Sequence, residues 1–247
     1  MSRSIVTTAA ALAIGNELLN GKVQESNLHP LATTLRALGI RLNRTHTIGD
    51  DLELIAREVR ELSERHDVLF TSGGIGPTHD DVTIAGVAAA FGVSVELHPE
   101  LTTMLERTYG DRLTPEHLTM ARVPAGARLL GTADIRWPTV VMNNVWILPG
   151  VPEIFRMKLA VVRAHLRGAE EFFGRAVFTL LEEAELKPLL DQVVEAHPQV
   201  EVGSYPKWFD TTYRTKLTFD GRDPDAVQRA LEALLALLPE GEPQRLE

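Results

Sequence analysis

Two adjacent carboxylates, Asp80 and Asp81, close a stretch of small residues that reads Thr71-Ser72-Gly73-Gly74-Ile75-Gly76-Pro77-Thr78-His79-Asp80-Asp81. Glycines let backbone N–H groups approach an anion, and a following helix adds unpaired donors and a positive dipole end. Ser72, Gly73, Gly74, Gly76, Pro77 and Thr78 are therefore expected to line a phosphate site. Carboxylates repel phosphate unless a cation lies between them, so Asp80 and Asp81 predict a divalent ion such as Mg²⁺, Mn²⁺ or Co²⁺. A plainer reading makes Thr78 and Asp81 the two halves of a helix capping box. Capping accounts for the threonine and one carboxylate, but not for the glycines, the proline and the second aspartate in the same turn. His79, the titratable base inside the motif, is expected to be an exposed loop histidine.

The elements that must hold this loop are legible around it. Val68 to Ser72 is a short apolar run expected as a buried strand, and Val82 to Phe91, closed by Gly92, is expected as a helix. Upstream, Ile5 to Ile14 reads as a first strand ending at Gly15-Asn16-Glu17, which places Gly15 and Glu17 at the same carboxyl edge of a parallel sheet. Leu28, Leu31, Leu35 and Leu38 recur at helical spacing from Asn27 onward. Ser26 and Asn27 at its head suit either a cap or a ligand contact. After a strand from Ile40 to Ile48, Gly49-Asp50-Asp51 opens another helix; Asp51 reads as its cap, while Asp50 stays open. Thr139 to Leu148 reads as a hairpin turning at Asn143-Asn144. Its second strand delivers Pro149-Gly150-Val151-Pro152, a second wall for the pocket at Gly150.

Strand and helix alternating three times is the pattern of a doubly wound α/β sheet with three layers and mostly parallel strands. A helix from Pro152 ends near Gly168, and the order then changes. From Arg175 it runs strand, helix, strand, strand, helix, a small α+β unit. Domains are expected at 1–170 and 171–247.

The run Ser72-Gly73-Gly74-Ile75-Gly76-Pro77-Thr78-His79-Asp80-Asp81-Val82-Thr83 resembles the GG-hydrophobic-GPT-x-DD-x-T signature of the CinA-like branch of the MoaB/Mog family. Gly15-Asn16-Glu17-Leu18-Leu19, Ser26-Asn27, Gly49-Asp50-Asp51 and Leu148-Pro149-Gly150-Val151-Pro152 match further segments of that family. The second unit, with Gly203-Ser204-Tyr205-Pro206, is similar to its small KH-like domain; the third, deamidase domain of the family has no counterpart before Glu247. The resemblance implies a molybdopterin- or nucleotide-binding domain, a homodimer, and metal-dependent pyrophosphatase action on ADP-ribose or FAD-like diphosphates. Glu17, Asp80 and Asp81 would then be the catalytic and metal-holding residues. A non-catalytic binder of molybdopterin or a nucleotide is the alternative. The chain departs from the family at Gly131-Thr132-Ala133-Asp134-Ile135, where Asp134 and Ile135 replace a proline and a glycine, and at Met120-Ala121 in place of Gln-Ala. Arg136 and Trp137, just beyond, would offer a guanidinium and a stacking ring, or form an ordinary surface loop.

Composition narrows the partners. The net charge of −9 over 247 residues argues against nucleic acid, for which a basic face is required. Cysteine is absent, which removes thiolate ligands and thiol nucleophiles. The apolar run Ile5–Ile14 is interrupted by Thr7 and Thr8 and reads as a strand rather than a signal core. With no stretch apolar enough to span a bilayer, the expected location is the cytoplasm and the expected partner a small nucleotide or pterin.

Overall fold

In the computed structural model, which describes residues 3–209 and 212–247, the run from Ile5 to Ile14 is two strands, β1 (Ser4–Ile5) and β2 (Thr8–Ile14). The break has a cause. The Asp67 carboxylate accepts the N–H groups of Thr7 and Thr8 at 2.8 and 2.9 Å. Those bonds, that of Thr8 foremost, hold the Asp67 pKa below the ordinary carboxylate value.

The chain divides into two compact units, the first ending at Ala169 and the second starting at Glu170. In the first, β2 is followed by α1 (Asn16–Leu19), α2 (Leu28–Ala37), β3 (Arg41–Ile48), α3 (Leu52–Arg65), β4 (Val68–Ser72) and α4 (Thr83–Phe91). Then come β5 (Val95–Leu97), α5 (Pro99–Tyr109), α6 (Pro115–Thr119), β6 (Arg122–Pro124) and β7 (Arg128–Leu130). The hairpin β8 (Thr139–Met142) and β9 (Val145–Leu148), α7 (Pro152–His165) and β10 (Leu166–Arg167) complete it.

Six strands form the main sheet in the order β3-β2-β4-β9-β8-β7. The first four are parallel, and β8 and β7 are antiparallel additions. Period-two alternation sends Ala9, Ala11 and Phe70 to one face, against Leu31 and Leu35 of α2 and Phe155, Leu159 and Val162 of α7. Ala10, Leu12, Ile14 and Leu69 go to the other, against Ile55, Val59 and Leu62 of α3 and Val87 of α4. Each large aliphatic side chain so buried contributes about 1.5–3 kcal/mol. The three-layer α/β expectation holds. The hairpin turns at Asn143, whose φ is 51°, as its sequence predicts. Helix α4 stops at Gly92, which takes a left-handed φ of 66°.

The departing segment 131–138 is packed rather than open. Ile135 lies against the core on the α2/α7 side, and Trp137 against Leu101, Leu105, Ala121 and Val123. Trp137 is therefore a packing residue here. Beneath it Lys158, 4% exposed, donates to the carbonyls of Trp137 and Pro138. Burial pushes its ammonium down to about 8.

The second unit holds β11 (Phe173–Thr179), α8 (Glu183–Ala196), β12 (Glu201–Pro206), β13 (Thr215–Gly221), α9 (Pro224–Leu237) and β14 (Arg245–Leu246). Its antiparallel sheet has the order β12-β13-β11-β14. The strand β14 closes the expected βαββα order into a βαββαβ unit, the split βαβ arrangement. Both helices pack on one face, with Leu186, Val193, Val227 and Leu234 against Val177, Leu217 and Phe219. On the other face the guanidinium of Arg245 lies 3.8 Å above the Phe178 ring. Among the described residues no helix is long and apolar enough to cross a membrane.

Candidate functional site

The parallel strands β2, β3, β4 and β9 end together, since Ile14 pairs Ile48, Ala13 pairs Ser72 and Ser72 pairs Leu148. The loops beyond those ends form the cleft where ligands of open α/β sheets bind. Its floor is bare main chain. Gly73 has a φ of 103°, and a Cβ there would lie 2.2 Å from the Ile14 carbonyl oxygen. A Cβ on Gly150 would lie 3.1 Å from the Gly73 Cα. Glycine at both positions lets the β4 and β9 loops run side by side.

Asn27 braces the two loops. Only 5% exposed, its side-chain amide donates to Ser72 Oγ at 2.9 Å and to the Gly150 carbonyl at 2.8 Å. Those acceptors fix which way the amide points. Its Oδ1 is buried without a protein partner. Asn27 therefore does not cap α2 with its side chain; the Glu25 carboxylate takes the N–H groups of Asn27 and Leu28 instead. Ser26 stands half-buried beside it.

Gly74 is tied to α4. Thr83 Oγ1 donates to the Gly73 carbonyl at 2.9 Å and Thr83 N to the Gly74 carbonyl at 3.0 Å. That pairing starts α4 at Thr83, one residue later than the sequence predicts. From the loop after β3, Asp50 Oδ2 accepts the Asn16 N–H at 2.7 Å. Asp50 Oδ1 lies 3.6 Å from where a Cβ on Gly74 would sit. Asp50 is thus the carboxylate of the inner cleft, a position the sequence reading left open. Its signal was the strand-end loop Gly49-Asp50-Asp51, parallel to the other two. Asp51 caps α3 through Leu54 N–H, as expected.

The acidic turn stands apart from this floor. Asp81 Oδ2 accepts the Thr78 N–H at 2.8 Å, and the Thr78 hydroxyl lies against both Asp81 Oδ2 and Asp80 Oδ1, the latter at 2.7 Å. The capping-box reading is corrected here: the N-cap of α4 is Val82, so Thr78–Asp81 is a separate turn before the helix. Gly76 belongs to it, its Cα facing the Asp81 carboxylate, and Pro77 is exposed beside it. The Thr78 hydroxyl, with the Asp80 N–H second, holds the Asp80 pKa below the ordinary carboxylate value. His79 is 98% exposed, as expected.

A divalent cation can be tested against these donors. The Thr78 hydroxyl has one hydrogen and meets two carboxylate oxygens, so three oxygens converge with too few protons between them. That is a hard-cation donor set. Glu17 does not join it. Its carboxylate folds back into the space a Cβ on Gly15 would need, and among the described residues no three His, Asp or Glu side chains gather to hold a metal ion. Thr78, Asp80 and Asp81 fit a cation; the expected triad with Glu17 is not assembled.

Comparisons with known proteins follow this division. A family model described as "Probable molybdopterin binding domain" matches residues 10–167, and one described as "FAD synthase, middle domain" matches residues 171–247. The chain is 31% identical to a "Probable FAD synthase" of Caenorhabditis elegans over 94% of its own length and 50% of that protein. It thus spans about half the length of this relative. It is also 31% identical to a protein of Archaeoglobus fulgidus, over 92% of this chain and 96% of that one. The crystal structure of CinA from Thermoplasma acidophilum, a protein described as of unknown function, is 30% identical. It covers 65% of this chain and 98% of its own, with a TM-score of 0.59. With its glycine floor at the strand ends and a matching model over most of its length, the chain belongs to the MoaB/Mog-like molybdopterin-binding domain family.

Proposed function

We propose that the first unit binds a diphosphate-bridged nucleotide, or a pterin phosphate, in the cleft of Gly15, Asn27, Ser72, Gly73, Gly74 and Gly150, and cleaves the diphosphate. One observation carries the binding reading: two glycine main chains in contact at the strand ends, clamped by a buried amide. At Gly73 and Gly150 the floor is main chain alone, so phosphate oxygens approach the backbone there without displacing a side chain. The similarity to proteins named FAD synthase favours FAD-like ligands among the nucleotides.

The chain's own residues divide the work. Gly74 and Gly150 receive the anion beside Gly73, whose own N–H is taken by the Leu148 carbonyl, and Asn27 sets their spacing. Asp50 brings a carboxylate to the inner wall, where it orients a ligand hydroxyl or amine. Thr78, Asp80 and Asp81 would hold a divalent cation, which supplies charge neutralisation for a diphosphate attacked by water. One feature favours the second reading, a binder without turnover: Asp81 already spends an oxygen on the Thr78 N–H.

The test is incubation of the pure chain with FAD or ADP-ribose, with Mg²⁺, Mn²⁺, Co²⁺ or a chelator, alongside calorimetry. Cleavage is expected to give AMP with FMN, or AMP with ribose 5-phosphate. Tight binding without cleavage under every metal leaves the binder standing. No binding of either nucleotide or of a pterin phosphate overturns both.

A further inference from the structure

The second unit holds a cleft of about 800 Å³ where β11 and β12 end and β13 begins. That is the size of a small-ligand site. Main-chain bonds keep the three strand ends together. Arg214 N–H donates to the Thr179 carbonyl at 2.8 Å, and Lys207 N–H to the Arg214 carbonyl at 2.7 Å. Thr215 Oγ1 donates to the Leu181 carbonyl at 2.8 Å and ties the turn into α8 to the same edge. The apolar lining is Leu180, Ala184, Pro206 and the Trp208 ring. Leu180 is 43% exposed and Trp208 88%. The other two tryptophans are packed, Trp146 in the sheet and Trp137 under β7 and β8. Exposed apolar groups along a concave wall mark a binding surface.

The polar lining is balanced, Lys207 and Arg214 against Glu182 and Glu183. Both cations lean on groups of the unit itself. Arg214 Nη1 donates to Glu182 Oε1, and the Lys207 ammonium lies 5.0 Å from the centre of the Tyr213 ring. A phosphate would meet no net positive charge here. Glu183 is different: its Oε1 accepts the Ser204 hydroxyl at 2.9 Å, and its Oε2 has no partner among the described residues. An ionised carboxylate oxygen is an acceptor only, so it asks for an N–H or O–H.

We propose that this cleft binds an uncharged, amine-bearing fused heteroaromatic ring such as adenine, its face on Trp208 and its amine on Glu183 Oε2. A fused two-ring system matches the area of the indole. Stacking on an aromatic face accepts any base, so the choice among rings falls to the edge. A ring without the amine leaves the carboxylate oxygen unpaired and binds less tightly. The site is built wholly from the second unit and needs no diphosphate, so it stands or falls apart from the glycine-floored cleft.

The probe is adenosine, which has the ring and the amine but no phosphate. Calorimetry on the full chain is expected to show saturable binding, with quenching of the Trp208 fluorescence. Trp208→Ala should weaken binding about tenfold or more. Ala184→Phe, which fills the cleft from the exposed first turn of α8, should abolish it. Purine riboside, which lacks the amine, should bind about tenfold more weakly than adenosine, and Glu183→Ala should remove that difference. Ribose 5-phosphate should not compete. No saturable binding of adenosine overturns the proposal, as does binding indifferent to Trp208→Ala and Ala184→Phe. Binding lost in Gly150→Ala but kept in Trp208→Ala belongs to the first unit and overturns it too. A preference for adenosine that survives Glu183→Ala removes Glu183 from the site.

Discussion

The side chain of Asn27 donates to the carbonyl of Gly150 at 2.8 Å across 123 residues of sequence. With its second bond, to Ser72, it joins the loops after β4 and β9 from the head of α2. Asn27→Ala takes a donor from the buried Ser72 hydroxyl, which keeps its bond to the Pro149 carbonyl, and from the part-buried carbonyl of Gly150, each costing about 1 kcal/mol or more. A urea melt is expected to show a loss of about 2–4 kcal/mol, with weaker nucleotide binding. Asn27→Asp, which keeps the shape but turns a donor toward a carbonyl into an acceptor, should be no better. A melt unchanged in Asn27→Ala would mean that the brace contributes nothing.

The two floor glycines should respond unequally. At Gly73 a methyl group meets backbone, at a φ that L residues rarely adopt. Gly73→Ala is expected to cost about 2–4 kcal/mol or prevent folding. Gly150 has ordinary φ and a tight but not impossible neighbour, so Gly150→Ala should cost about 1 kcal/mol and chiefly raise the Kd for FAD. Thermal melts and calorimetry on both variants check the order.

Lys158 gives the fold a basic-side pH dependence. Its ammonium is disfavoured by burial, with a folded pKa of about 8 against an ordinary 10.5. Below about pH 8 it is protonated in both states, and the cost of burying the charge is fully present. Between there and 10.5 the unfolded chain binds more protons, so stability rises with pH. Relative to Lys158→Met, the wild type should gain up to about 3 kcal/mol across that window. The neutral amine can still donate to the Trp137 and Pro138 carbonyls. Denaturant titrations at pH 7.5 and pH 10 measure it; parallel curves for the two proteins would remove the effect.

Asp81→Asn separates cleavage from turn building. The amide oxygen still accepts the Thr78 N–H, so the loss of stability should be about 1 kcal/mol or less. If the turn holds a catalytic cation, turnover of ADP-ribose should fall by about 10²–10³ while binding changes little or tightens. Turnover equal to wild type would take Asp81 out of the chemistry.

Much of this was legible because the signals were local. Val68–Ser72 starts as an apolar run and is ended by glycine, and β4 occupies those positions. Pro99, Pro115 and Pro152 each stand at the first position of a helix. What was not legible depended on distant partners. The start of α4 moved because the Thr83 hydroxyl finds the Gly73 carbonyl, ten residues back. Asn27 suited either a cap or a ligand contact until Ser72 and Gly150 arrived from other strands. Asp50 was undecided because its partner, Asn16, opens α1 after β2, 34 residues back. Glu17 shares the sheet edge with the aspartates but turns back on its own loop. Strand β14 is two residues long and has no periodicity to read; only its pairing with Val177 and Phe178 reveals it.

The short pair β1–β10 governs how the first unit bears load. Ser4 and Ile5 lie parallel to Leu166 and Arg167, and Val6 N–H donates to the Arg167 carbonyl at 2.9 Å. A pull applied to the amino-terminal end and to the chain beyond Arg167 draws these strands past each other lengthwise. Their bonds are loaded together, in shear, rather than opened one at a time. Tension on the connection to the second unit meets first the bond from the Gly168 N–H to the Leu38 carbonyl and then this clasp, while the first residues of β2 are held separately by Asp67.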